Sequence, residues 1–400
     1  MADEKQPVST PARAGRPPRV GGTVDAAFRP VGERFVEALG NSELGAAVAV
    51  HIDGRPVVDL WGGWRDRARR EPWQRDTLVC AFSATKGVAA LCALQAVAAD
   101  VLDLDAPLRT RWPALDGAGR ETITLRHALA HRAGMIGFDP ATRLELEDLY
   151  DFDRGSALLA AQHPWWTPGE DHGYHARTFG FLLDAPLRGA TGASLGTWLR
   201  ERISGPRELD LHIGLTPENQ ARCAELSPAG VDAQIPEASE PMMRAMNDRA
   251  SLTAAAFTNP PGRRGFMNTA AFRAAELPAM NGHATARALA DLYGALATGD
   301  ETLCPAELLR EATRVHSEGP DRVLLQDSCF GLGFMLSRPA LPVGLSDACF
   351  GHAGAGGSLA FADPESGLGF CFLMNRMRPG AVTGNETALA LVEAVRGCLG

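Results

Sequence analysis

The sequence predicts an α+β fold in which helices pack against an antiparallel sheet, and three stretches carry that expectation. Residues 45–61 read as two strands, Ala46-Ala-Val-Ala-Val-His51-Ile and Pro56-Val-Val-Asp-Leu-Trp61, joined by a hairpin turn at Asp53-Gly54. Residues 350–375 read as a glycine-rich strand, a second strand, a turn containing Pro364 and a third strand, an antiparallel meander. Between them, residues 88–97 are apolar on nearly every helical face, the pattern of a buried helix.

The remaining elements follow in order. Residues 1–22 hold Pro7, Pro11, Pro17 and Pro18 among polar neighbours, too little apolar surface to fold alone, and are expected to be a disordered tail. Helical spacing then appears at Ala26, Phe28, Val31, Phe35, Val36 and Leu39. Trp61, Trp64 and Trp73 surround the loop that leads towards residue 83 and are read as sheet packing. Residues 78–82 form a short apolar strand ahead of the buried helix. A turn at 102–108 precedes a helix over 123–135 that Gly134 ends. His127 and His131 stand four apart in that helix, but no carboxylate lies between them in the H-E-x-x-H manner. They are read as structural, and no metal is expected. Pro168-Gly169 turns the chain towards Tyr174, which precedes a helix with Phe179, Leu182 and Leu183 on its apolar face. Residues 227–241 and 259–267 are rich in Pro, Gly, Ser and Asn and are read as long loops, which often line sites. A turn at Met280-Asn281-Gly282-His283 starts an amphipathic helix that includes Tyr293, and residues 386–398 form a closing helix.

Composition narrows the function. The net charge of −9 comes without a basic patch or lysine-rich run, so neither nucleic acid nor an anionic membrane is an expected partner. A small molecule is. Eight cysteines without C-x-x-C spacing, mostly in apolar runs, read as buried free thiols. The first residues lack an apolar h-region and no later stretch approaches eighteen uncharged apolar residues, so a cytoplasmic protein is expected. No G-x-x-x-x-G-K-[ST] occurs, the Gly354-x-Gly356 spacing precedes a strand, and no cofactor is expected.

Chemistry concentrates at Ser83 and Lys86. Three residues apart on a helix, their side chains share a face and can meet. Serine is also a good N-cap, but a capping box wants Glu or Gln at the third helical position. A cation there faces the positive end of the macrodipole at a cost of about 0.3–1 kcal/mol. The dipole and burial together favour a neutral amine, which is what a base for a serine hydroxyl needs. Of 39 Lys plus Arg, only Lys5 and Lys86 are lysines. Arginine does not deprotonate in a protein, so the single internal lysine points to a titratable amine. Among three tyrosines, Tyr150 follows acidic residues and Tyr293 falls in a regular helix. Tyr174, entering from a loop, is the one placed for chemistry.

Ser83-x-x-Lys86, Tyr174-x-Ala176 and His352-Ala353-Gly354, in this order and spacing, resemble the class C β-lactamase-like serine hydrolases, and within them the family VIII carboxylesterases. The resemblance spans residues 23–398 and includes Trp61-Gly-Gly-Trp, Leu129-Ala-His-Arg-Ala-Gly and Gly351-His-Ala-Gly-Ala-Gly-Gly-Ser. It implies a β-lactamase/DD-peptidase-like fold. A sheet domain with helices on both faces would be built from residues 23–82 and 285–400, around a mostly helical domain over 83–284, with the site between them. Ser83 would be the nucleophile, Lys86 its base or proton relay, and Tyr174 the phenol that passes the proton to the leaving group. Either Lys86 or Tyr174 takes the first proton. The N–H groups of Ser83 and Ala355 would form the oxyanion hole, with substrate contacts from His352, Gly354, Ala176, His175 and Trp166.

Where β-lactamases of the family carry Tyr-x-Asn and Lys-Thr-Gly, this chain lacks the amide at the first motif and the cation and hydroxyl at the second. Hydrolysis of a small neutral carboxylic ester is therefore expected. The alternatives are an acyltransferase of secondary metabolism using the same acyl-serine, an amidase or D-peptidase, and a non-catalytic binder on this fold. A weak β-lactamase side activity is compatible with the first.

Overall fold

The computed structural model describes residues 6–7, 20–228, 234–339, 342–380 and 384–400. In chain order its strands are β1 Gln6–Pro7, β2 Gly21–Val24, β3 Gly45–Ile52, β4 Arg55–Gly63, β5 Val79–Cys80, β6 Leu211–Ile213, β7 Gly282–Ala284, β8 Ser317–Pro320, β9 Asp327–Phe330, β10 Met335–Leu336, β11 Phe350–Ala353, β12 Leu359–Asp363 and β13 Leu368–Met374. Ten of them form one sheet in the order β1-β2-β4-β3-β13-β12-β11-β10-β9-β8, with every neighbouring pair antiparallel. The early hairpin and the late meander meet at its centre, where β3 pairs with β13 from Ala46↔Met374 to Ile52↔Leu368. The hairpin turn has positive φ at both Asp53 (49°) and Gly54 (74°), the twist that suits a two-residue connection.

Each strand sends alternate residues to opposite faces, and the two faces differ in size. Val48, Val50, Phe370 and Phe372 pack under α1 (Arg29–Asn41) and the closing helix Glu386–Leu399, whose apolar faces carry Val31, Phe35, Leu391 and Val395. On the other face Ala47, Ala49, Ala360 and Ala362 meet the helix Ala286–Ala297. Small residues let that helix lie directly on the sheet. A Cβ added at Gly369 would stand 2.1 Å from the carbonyl oxygen of Ala290.

Four expectations change. The segment set aside as a tail is shorter, because Val20 is buried and β2 pairs with β4. β1 also pairs with Thr23 and Val24; the rest of residues 1–19 lie outside the described residues. The helix expected over 123–135 is only Leu125–Leu129, because His131 at φ 59° turns the chain left-handed well before Gly134. The turn expected at 280–283 contains β7, which joins β5 and β6 in a second small sheet. The loop expected over 227–241 contains a short 3₁₀ turn, Glu237–Ser239, and the start of the helix Glu240–Ala245, while residues 229–233 lie outside the described residues.

Candidate active site

The small sheet holds the turn that presents Ser83. β5 pairs with β7 through Val79↔Ala284 and Cys80↔His283, and the Ala81 N–H donates to the carbonyl of Gly282 at 2.8 Å. Phe82 then takes φ 47°, an uncommon value for a bulky residue, and the chain turns through a 3₁₀ turn, Phe82–Ala84, into α2, Thr85–Ala98. Thr85 secures that corner: its hydroxyl donates to the carbonyl of Phe82 and accepts the Gly282 N–H at 2.9 Å. The Ser83 N–H lies in the first turn, where helical donors have no internal acceptor.

Lys86 is fully buried on the next turn. Its Nζ lies 3.3 Å from Ser83 Oγ, 2.8 Å from the carbonyl oxygen of Ala176 and 2.9 Å from that of Ala279, and 4.6 Å from the centre of the Tyr174 ring. Burial pulls its pKa well below the ordinary lysine value. A neutral amine has two N–H donors and one lone pair. With the two carbonyls accepting the donors, the lone pair is left for the Ser83 hydroxyl.

Tyr174 closes the group. Burial raises its phenol pKa above the usual value, and the nearby Ser83 hydroxyl pulls weakly the other way. The ring is stacked between Phe257 (5.9 Å) and Phe330 (6.0 Å), with His131 at 4.9 Å and His352 at 5.9 Å. Its backbone is tied down by Asp321, whose Oδ1 accepts the N–H groups of Tyr174, Val323 and Leu324. Oδ2 of the same residue accepts from Ser328 Oγ, which pairs with His172. Asp321 gave no signal in the sequence, because its bond to the Tyr174 amide joins residues far apart in the chain.

After β11, Gly354 to Gly357 make a tight turn in which Gly354 N–H donates to Ser358 O at 2.7 Å and Gly357 N–H to Gly354 O at 3.0 Å. Ser358 Oγ reaches across to the carbonyl of Ala81 at 3.0 Å, so this turn and the Ser83 turn are fastened to each other. The approach requires glycine at 354, where a Cβ would stand 2.1 Å from the Ala81 oxygen. Ala355 is exposed at the tip, and its N–H has no acceptor among the described residues. Ser83, Tyr174, His352, Gly354 and Ala355 all line one cavity of about 220 Å³.

A family model described as Beta-lactamase matches residues 29–394. The chain belongs to the β-lactamase family. It is 36% identical over 375 residues to the esterase/β-lactamase LipL of Mycobacterium tuberculosis (strain ATCC 25618 / H37Rv), covering 91% of this chain and 84% of that protein. A crystal structure of a family VIII carboxylesterase superposes with a TM-score of 0.85 at 34% identity, over 95% of this chain and 99% of that one. A penicillin-binding protein homologue from Caulobacter crescentus gives the same TM-score and coverage at 36% identity.

Within this β-lactamase-family site, three residues expected to touch substrate stand elsewhere. His175 is fully buried behind Tyr174, its Nδ1 donating to Gly173 O at 2.7 Å and its N–H to His131 Nδ1 at 3.1 Å; burial lowers its pKa to about 3. Trp166 packs edge-on against His175 and under Arg322. Ala176 contributes its carbonyl to Lys86 and does not line the cavity. A segment that comes in from a loop presents few of its residues to the opening, and here Tyr174 is the one that faces it. His352 is neutral, since burial, reinforced by Lys86, lowers its pKa to about 3. Its Nδ1 donates to Ala353 O at 2.6 Å. Among the described residues no group of His, Cys, Asp and Glu is arranged to hold a metal, and His131 sits among Tyr174, Phe179 and Phe330.

Sequence reasoning also missed the far wall of the cavity. Met242, Met243 and Met246 stand at helical spacing on and just after Glu240–Ala245, and they line the opening together with Phe257. That spacing was visible, but its meaning was not, because the facing wall comes from other, distant segments of the chain.

Proposed function

We propose that the protein is a serine carboxylesterase that cleaves small neutral esters through an acyl-enzyme on Ser83. The observation that carries this is Lys86, fully buried, with two backbone carbonyls accepting from its nitrogen and Ser83 Oγ 3.3 Å away. In acylation the Ser83 proton passes to the Lys86 and Tyr174 pair as Oγ attacks the ester carbonyl. The developing oxyanion is held by the N–H groups of Ser83 and Ala355, and Tyr174 returns the proton to the departing alkoxide. In deacylation the pair takes a proton from water, the resulting hydroxide attacks the acyl carbon, and Ser83 leaves as its hydroxyl. Which member accepts first is a property of the coupled pair.

The make-up of the wall supports a neutral substrate. Its one charged side chain, Arg378, donates through Nη2 to the carbonyl of Ser42 at 2.9 Å and lies close enough to buried Glu43 to pull against that carboxyl's raised pKa. It is engaged behind the wall. With His352 neutral as well, Arg378 is the one cation of this wall, and it is drawn towards Ser42 and Glu43. Esterase-named relatives support the same reading. The double name of the 36% identical relative favours a second, slower activity on β-lactams. Eight unpaired cysteines, seven of them buried, support a reducing, cytoplasmic setting. Among the described residues no helix is long and apolar enough to cross a membrane.

Labelling with a fluorophosphonate tests the assignment. Intact-mass analysis should place one adduct on Ser83, and Ser83→Ala should lose both the adduct and turnover of an aryl ester. An adduct on Ser358 instead would refute it. An arm with added alcohol acceptor separates hydrolysis from acyl transfer by the product formed.

A further inference from the structure

Five of the ten methionines in the chain, Met242, Met243, Met246, Met335 and Met377, meet in the wall of the single cavity that holds Ser83. They arrive from three separate segments: the helix Glu240–Ala245 and its end, strand β10, and the chain just after β13. Met242 and Met335 are buried, while Met243, Met246 and Met377 are half-buried. Phe257 stacks on Tyr174, so its face is already occupied, and Arg378 is turned to Ser42. Beyond Tyr174 and His352, little in this wall can read a polar group.

Resting on the ester-hydrolase reading, we infer that the cavity takes uncharged esters carrying a flexible aliphatic chain, and that it senses chain bulk gradually and without a sharp cut-off. Two properties give that result. The cavity, about 220 Å³, is lined mainly by apolar side chains and has room for several methylenes. Methionine is unbranched, with three rotatable bonds and a polarisable sulfur, so a wall of thioethers repacks around chains of different length, whereas branched side chains would present one fixed shape. Each methylene taken from water raises kcat/KM by about fourfold until the space is filled. Beyond that length the excess chain lies in solvent and the rate constant levels off or declines gently.

The test is a series of p-nitrophenyl esters from acetate to laurate, with kcat/KM measured for the wild type and two variants. The wild type should climb from acetate to a broad maximum between hexanoate and octanoate. Met243→Glu, at a half-buried position that tolerates a change without loss of the core, should lower the octanoate-to-acetate ratio about tenfold or more. The triple change Met242→Leu, Met243→Leu and Met246→Leu conserves volume while stiffening the wall, and should narrow the range of chain lengths turned over within tenfold of the best. A wild type that prefers acetate, or a ratio that Met243→Glu leaves alone, overturns the inference while the esterase reading stands. Absence of turnover for every ester, with no adduct on Ser83, removes both.

Discussion

The two walls of the cavity are built on opposite principles. On the side of Ser83, the groups are pinned by hydrogen bonds: Lys86 by two carbonyls, the Tyr174 amide by the Asp321 carboxylate, the Ser358 hydroxyl by the Ala81 carbonyl. On the other side, thioethers from three segments meet, with no hydrogen bond to their sulfurs among the described residues. Precision is concentrated where a proton must move a fraction of an ångström, because misplacement by 1 Å there can cost about a hundredfold. Where only apolar bulk must be accommodated, looseness is an advantage.

The largest break in that comparison comes from removing the titratable amine. Lys86→Arg replaces a neutral amine with a permanently charged guanidinium that accepts no proton, and kcat should fall by about 10²–10⁴-fold. The wild type should also show an acid limb: the neutral amine is the active form, so kcat/KM falls as pH drops through the lowered Lys86 pKa. A folded arginine variant with most of its kcat and the same acid limb would reduce Lys86 to a structural cation. Tyr174→Phe should follow, with kcat down about a hundredfold and a smaller change in KM, since the phenol acts as the leaving group departs. Equal activity at an unchanged melting temperature would assign the ring to packing alone.

Restoring an anchor on the pinned wall should have a narrower effect. The double change His352→Lys with Ala353→Thr should raise kcat/KM for a cephalosporin relative to an aryl ester by about 10–100-fold, from a charge-assisted hydrogen bond of about 1.5–3 kcal/mol. The ratio measured at one pH decides it, and a wild type that already favours the cephalosporin would sink the reasoning. The smallest effect is expected from Ser358→Ala, which unfastens the Ala355 turn from the Ser83 turn without deleting an oxyanion donor. Loss of such a donor costs about 10²–10³-fold, so a drop of about tenfold in kcat with KM held is the expected outcome. A change confined to KM would place Ser358 in binding.

The pinned wall was far more legible in the sequence than the loose one. Ser83 and Lys86 are three apart at the start of one helical segment, so local spacing was enough to bring them together. The hairpin at 45–63 and the meander at 350–374 were readable because long strands alternate and their turns carry Gly or Pro. β5 and β7 have two and three residues, too few for any period, although they hold the serine in place. The left-handed conformation of His131 carried no warning, because the surrounding residues keep helical spacing. Asp321 and the methionine wall are products of tertiary contact, and nothing local to either foretells it.

The burial of Lys86 has a practical side. The sequence contains one other lysine, Lys5, and the side chain of Lys86 has no exposed surface. Reagents that couple to surface amines therefore find no lysine between residue 6 and residue 400. Among the described residues no lysine is therefore exposed at the mouth of the cavity, and coupling of an activated resin or a dye ester to a lysine there cannot block it.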